Sequence, residues 1–395
     1  MTRFSPRFSP EARLVLLLCR ADLESPARDE ASRLLTESVS WPLVLQQVDA
    51  HGVLPLFARN IESLGGVPPD VHRVLARAQR LNAARAALLA RGLVDVLSLF
   101  AGAAIPVIPL KGPALAESLH GDATLRVCSD LDILVPAQQV APAFQLLLSA
   151  GYEHGEEPPV QPDELALLLD SNMEYTFRGR SGGLEYLLEL HWDVAWRWRG
   201  DRRAMDDLWA EARPLVFHGA PAYALSPEWQ LLYLAVHAAR HRWQALKWLV
   251  DIHELCATSP IGWEVVEDKS RRFGWRELAA ITLTACQQLL GTRIPPAFSR
   301  ARLPRWITLF PATPAPSTVW QDALLPLHLM PGLPGKLQYL GRLVLRPTLA
   351  EHRLLRIPSA VSVLYSPLRL LRLGGKWGWP LAQAGLGRLR RARAE

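Results

Sequence analysis

Cysteine is scarce in this chain of 395 residues: Cys19, Cys128, Cys256 and Cys286 stand far apart and form no CxxC pair. A disulfide framework and a Cys-rich zinc module are therefore not expected, and a reducing cytoplasm is the expected compartment. Long apolar runs are missing as well. None reaches the ~18 residues that a bilayer-spanning helix needs, so no transmembrane helix is expected. The short stretch Leu14–Leu18 follows Glu11, which argues against a signal peptide. Internal repeats and low-complexity tracts are also absent. With 49% hydrophobic and 21% charged residues, the composition excludes disordered and fibrous classes, and the length calls for two or three structural units.

Charge is present but unevenly placed. Residues 341–395 carry eleven Arg and Lys against two acids, Glu351 and Glu395, a net +9, while the preceding 340 residues net −3. A basic tail of this kind is either a solvated helix face or a contact for an anionic membrane surface, an acidic partner or nucleic acid.

The pattern along the chain mixes helix and strand. Residues 10–100 read as helical, with Leu14, Leu17 and Leu18 on one face and a strong helix former at 82–100. Ile105–Leu110 is β-branched and broken by Pro106 and Pro109, which fits an edge strand. Lys111-Gly112-Pro113 then opens a short helix to His120, with Pro113 suited to the first helical position. Ser129–Val135, closed by Pro136, reads as a strand, 138–150 as a helix, and 153–163 as an acidic, Pro-rich loop. A second strand is expected at 184–192, with Tyr175–Arg178 as its neighbour. Helix resumes at Ser226-Pro227-Glu228, and the prolines of 295–335 predict a linker or irregular region.

Chemistry concentrates on two strands. Side chains alternate along a strand, so Asp130 and Asp132 point the same way while Leu131 and Ile133 face the other side. Asp is a poor strand former, and two carboxylates side by side repel unless something neutralises them. A divalent cation with hard oxygen ligands, Mg²⁺ or Mn²⁺, does so; a solvated strand face is the alternative. Glu189 lies between Leu188 and Leu190 on the second strand and shares a face with His191. If the two strands pair, Glu189 completes a carboxylate triad able to hold metal for phosphoryl chemistry. Lys111 and Gly112 add a phosphate contact at a helix start. His237 and His241 are one helical turn apart, but no third ligand is evident for zinc. Trp192, Trp196, Trp198 and Trp209 would either stack a base or sugar or pack in the core.

The segment LKGPALAESLHGDATLRVCSDLDILV (110–135) resembles the nucleotidyltransferases of the DNA polymerase β-like superfamily. More narrowly it resembles an uncharacterised bacterial nucleotidyltransferase family with a Leu-Lys-Gly turn, an Asp and Arg pair (Asp122 and Arg126 here) and Asp-Leu-Asp. Leu184–Asp193 is similar to the strand supplying the third carboxylate. Ser40–Leu56, with His51, and His237–Trp243, with Trp248 and Asp251, are similar to the family's helical regions. Two departures stand out: the superfamily's Gly-Ser turn is Lys-Gly here, and the third acid is Glu rather than Asp.

The resemblance implies an α+β protein, a small mixed β-sheet nucleotidyltransferase core flanked by N- and C-terminal helical regions. The expected organisation is a helical region at 1–100, the catalytic core at 101–220, a helical region at 221–330, and a Pro-containing then basic tail at 331–395. It implies Mg²⁺- or Mn²⁺-dependent transfer of a nucleotidyl group from an NTP to a small-molecule, peptide or protein acceptor. The competing expectation is a relative of the fold that only binds, or that uses a nucleotide-sugar donor. Asp130, Asp132 and Glu189 would be the catalytic and metal-holding residues, and Lys111, Gly112, Arg126 and Ser129 the nucleotide contacts. Arg126 would either meet phosphate or pair with Asp122. Asp122, His191, His237 and His241 would stand near the acceptor or support the site. A nucleic-acid partner is not expected, because the catalytic region is not basic. The expected location is cytoplasmic, with peripheral contact of the tail to an anionic membrane surface as the alternative to a solvated tail.

Overall fold

The computed structural model describes residues 8–37, 39–156, 158–195, 202–299, 301–302, 307–311, 319–330, 332–357 and 363–375. The protein is α+β, and its chain divides into two compact units: residues 1–159 with 174–315, and residues 160–173 with 316–395.

The first unit is built on a five-stranded mixed sheet. Its strands are β1 (Ile108–Pro109), β2 (Asp130–Leu134), β3 (Glu153–His154), β4 (Glu174–Ser181) and β5 (Leu184–His191), in the order β1-β2-β5-β4-β3. β2 and β5 run parallel at its centre, in a register that sets Asp132 opposite Glu189 and Leu134 opposite His191. β4 pairs antiparallel with β5 and sets Glu174 opposite His191. β1 is the edge strand that its prolines require, since proline cannot donate to a ladder. β3 lies within the stretch expected as a loop; two residues suffice because Glu153 and His154 pair with Arg178 and Phe177 of β4.

Alternation along β5 separates two faces. Tyr186, Leu188 and Leu190 are buried on one, against the long helix α5 (Pro69–Gly102) and α7 (Val140–Ser149), where Phe144 meets Tyr175 and Phe177 of β4. Gly92 of α5 lets the helix approach, because a Cβ there would lie 3.0 Å from the Tyr186 ring. The opposite face carries Asp130, Asp132, Glu174, Glu189 and His191.

Helices α1 (Pro10–Leu18), α2 (Ser25–Thr36), α3 (Trp41–Ala50) and α4 (Leu54–Glu62) form the N-terminal layer, with α1 almost wholly buried. α5 begins at Pro69, within the stretch expected to be helical, and contains the helix-forming segment 82–100. α6 (Gly112–His120) follows β1, and α9 (Arg202–Ala210) leads into a hairpin of β6 (Arg213–Phe217) and β7 (Ala220–Ala224). The hairpin turns at His218 and Gly219, both with positive φ, as a two-residue turn between right-twisted strands favours. The unit is completed by α10 (Pro227–Arg240), α11 (Leu246–Thr258), α12 (Trp263–Arg272) and α13 (Arg276–Leu290). Trp229 and Trp243 are fully buried among these helices, and the Trp243 indole donates to Thr282 Oγ1 at 2.7 Å.

The second unit contains α8 (Leu165–Ser171), α14 (Val319–Leu329), α15 (Gly332–Leu345), α16 (Leu349–Leu354) and α17 (Tyr365–Leu373). Part of the Pro-rich stretch is therefore helical rather than irregular. Pro334 falls in the first turn of α15, where a missing N–H costs nothing, and among the described residues of this stretch only Pro326 interrupts a helix interior. The prolines of 312–318 lie outside the described residues. No described helix is long and apolar enough to cross a membrane. All four cysteines are free, and Cys19, Cys128 and Cys286 are buried.

Candidate active site

Lys111 and Gly112 form the junction between β1 and α6. Gly112 takes φ +70°, a conformation open to glycine, and Pro113 follows in the first turn. This turn delivers the Lys111 side chain inward: Nζ lies 2.9 Å from Asp132 Oδ1 and 3.4 Å from both ring nitrogens of His237. Lys111 and Asp132 are both buried. Burial alone would raise the Asp132 carboxyl, but the charge of Lys111 and the hydrogen bond from His191 hold it well below the usual carboxylate range.

The β2–β5 register brings Asp132, Glu189 and His191 together. His191 Nε2 is 3.2 Å from Asp132 Oδ1 and 3.4 Å from Glu189 Oε2, while Nδ1 is 3.2 Å from Glu174 Oε2. Burial opposes the imidazolium, yet the hydrogen bonds to Asp132 and Glu189 and the nearby charge of Glu174 raise His191 to about 9. Glu189 is pushed upward by burial and by the charge of Asp132, against the hydrogen bond from His191. Glu174 stays low despite burial because Arg240 of α10 grips both its oxygens, with Nη1 donating to Oε2 at 2.8 Å.

One ligand atom from each of Asp132, Glu189 and His191 lies within 4.8 Å of the other two. Asp132 Oδ2 is buried and accepts no hydrogen bond among the described residues. Two carboxylates, one of them with an orphaned buried oxygen, fit a divalent cation of the carboxylate-preferring kind, and His191 joins them as a ligand only once its imidazolium gives up its proton.

The other predicted residues divide. Asp130 sits two residues earlier on β2, half-buried, and accepts a hydrogen bond from Ser129 Oγ at 3.1 Å. It is not part of the three-residue cluster. Ser129 is exposed, and Arg85 of α5 donates to its carbonyl at 2.9 Å. Arg126 is buried and makes a two-pronged pair with Asp251 of α11, both bonds 2.9 Å. Its partner is therefore Asp251 and not Asp122, which caps the following turn through Thr124 N at 2.8 Å. His237 and His241 lie beside the cluster. Burial and Lys111 hold His237 well below its ordinary value, and burial with the Arg240 charge lowers His241 to about 4. Both are neutral imidazoles at physiological pH.

Local backbone sets this wall. After α10 the chain reverses through Arg242 and Trp243, both with positive φ, held by Trp243 N donating to Ala238 O at 2.7 Å. The reversal lays His241 against Trp248 of α11, rings stacked 4.5 Å apart. His51 acts from below: Leu246 N donates to its Nδ1, and its Nε2 donates to Pro311 O at 2.8 Å, so it braces the start of α11. Trp192 is buried and Trp209 packs on Tyr223, while Trp196 and Trp198 lie outside the described residues. Glu174 and Arg240 are the residues that strand patterning does not single out as a pair. Only their placement on β4 and α10 joins them to His191.

With this geometry in place, kinship can be read. The chain belongs to the uncharacterised nucleotidyltransferase family, which it matches over residues 37–291, a span holding the sheet and every residue of the cluster. An antigenic nucleotidyltransferase-like protein from Paracoccidioides brasiliensis, known from its crystal structure, is similar at 19% identity with a TM-score of 0.35, over 52% of this chain and 94% of that one. No curated protein matches the chain.

Proposed function

We propose that the protein transfers a nucleotidyl group from an NTP to an acceptor hydroxyl of a small molecule, peptide or protein, with Mg²⁺ or Mn²⁺. The observation that carries this reading is the buried Asp132–Glu189–His191 cluster facing Lys111 at the start of α6. A divalent cation held by these three side chains would supply Lewis-acid stabilisation of charge at the α-phosphorus.

The chain's own residues do the rest. Lys111 and the free amides at the start of α6 bind the phosphates, where a cation and a helix N-terminus both favour anions. The charge of Glu174, 3.2 Å from His191 Nδ1, stabilises the charged imidazole, and Arg240 fixes Glu174 in turn. Glu189, raised and half-buried, accepts the proton of the acceptor hydroxyl. The acceptor oxygen forms its bond to the α-phosphorus as the bond to pyrophosphate breaks, and Lys111 offsets charge on the departing phosphates. Asp130, two residues earlier on the same strand face and half-buried, would contact the nucleotide phosphates or their metal.

The Lys111–Asp132 contact also supports a second reading. A buried lysine that neutralises the acid without metal suits a member of the fold that binds ligand and does no chemistry. A thermal-shift panel separates the two. ATP, GTP, CTP and UTP are each tested with Mg²⁺, Mn²⁺ or EDTA on the wild type and Asp132→Asn. A metal-dependent shift lost in the variant supports transfer and names the base. A shift equal in EDTA supports the binding protein, and no shift with any nucleotide overturns the NTP donor.

A further inference from the structure

The second unit is built with charge inside and leucine outside. Glu351 of α16 is fully buried, accepts from Thr348 N at 2.7 Å, and pairs with Arg369 (3.1 Å) and Arg372 of α17. Arg369 is itself buried and donates to Leu343 O at 2.7 Å. On the outside, Leu333, Leu337 and Leu340 follow i, i+4, i+7 spacing along α15 and are 67%, 57% and 38% exposed. Leu370 and Leu371 of α17, and Leu364 at its N-cap, are exposed as well, Leu371 to 76%. In α17 the buried positions Tyr365, Arg369 and Leu373 fall on the opposite side, so the outward face is the apolar one.

Single exposed leucines are ordinary, but a leucine stripe with further exposed leucines on the neighbouring helix is not. Charge indicates what covers them. Exposed Arg346 follows α15, where it makes a surface pair with Asp170 at 3.1 Å, exposed Arg356 follows α16, and from 341 to 395 the sequence nets +9. Past α17 it continues with Lys376, Trp377 and Trp379 and four further arginines before its one acid, Glu395. Apolar side chains followed along the sequence by cations and tryptophans match a headgroup layer bearing negative charge.

We infer that the helices α15 and α17 dock this protein onto an anionic lipid surface, their leucines entering the acyl boundary and the surrounding arginines meeting lipid phosphates. This inference stands apart from the proposed chemistry, since it uses no residue of the candidate active site.

Flotation of the full-length protein tests it, with phosphatidylcholine vesicles containing or lacking phosphatidylglycerol. The comparison is with Leu337→Gln/Leu371→Gln, both exposed positions, checked by an unchanged circular-dichroism melt. The wild type is expected to float with the anionic vesicles and far less with the neutral ones, and the double variant to lose about tenfold in partitioning. Three results would overturn the inference. One is no flotation on anionic vesicles. Another is equal flotation of the double variant. The third is a concentration-dependent dimer, seen without vesicles by light scattering, that the double variant abolishes.

Discussion

At the residue scale, the site depends on groups that must be paired to be buried. The Arg126–Asp251 pair is the clearest case, because both partners are almost wholly inaccessible. Removing one partner leaves an uncompensated charge, so Asp251→Ala is expected to lower stability by ~3–5 kcal/mol in urea unfolding. An unchanged midpoint would mean that Arg126 finds water or another acceptor. Gly112 is a subtler position. A Cβ there would meet only ordinary contacts, Asp130 O at 3.5 Å and a Leu131 methyl at 3.7 Å, so space is not the constraint. Its φ of +70° is. Gly112→Ala is therefore expected to cost ~1–2 kcal/mol through backbone strain alone, read as a lowered melting temperature.

At the scale of the element, β5 does two jobs by alternation. Its even positions Tyr186, Leu188 and Leu190 pack under α5 and α7, while Glu189 and His191 face the site and Leu187 is exposed. Leu188→Ala is expected to cost ~2–5 kcal/mol, as a buried leucine losing its packing does. Leu187→Ala, one residue away on the other face, is expected to stay within ~0.5 kcal/mol. Denaturant melts of the two variants check this, and similar losses at both would contradict the register between β2 and β5. The same alternation explains why a metal cluster can lie on a strand whose other side is core.

At the scale of the whole molecule, the two units are expected to unfold in separate calorimetric transitions, since each has its own buried centre. Glu351 ties one of them to pH. Burial raises its carboxyl, but the Thr348 amide and hydroxyl with Arg372 and Arg369 bring it to about 2, below the ordinary glutamate range. Because the folded value is the lower one, its contribution is fully present above the unfolded value and fades as pH falls towards about 2. Glu351→Gln should therefore depress the second unit's transition most near neutral pH, by at most ~3 kcal/mol, and the difference should vanish in strong acid. A pH-independent difference would show that packing, not ionisation, is what Glu351 provides.

Local pattern by itself determined the DLDIL strand, the edge strand before it, the glycine turn into α6, the helix start at Ser226 and the presence of Glu189 with His191 on one strand face. These follow from periodicity, β-branching and turn chemistry, which act within a few residues. The sequence also carried the family likeness, through residues 110–135 and 184–193. Tertiary structure decided what those residues touch. Strand order and register placed Asp132, rather than Asp130, with Glu189 and His191. They also drew in Glu174 from β4, and α10 added Lys111's neighbour His237 and the Arg240 brace. Arg126 found Asp251, 125 positions away, instead of nearby Asp122. Such pairings depend on long-range packing, which no spacing along the chain encodes. The Pro-rich region beyond 295 misled for a related reason: proline is costly in a helix interior, though α14 carries Pro326 there, but not in a first turn, and only the fold decides which of the two each proline occupies.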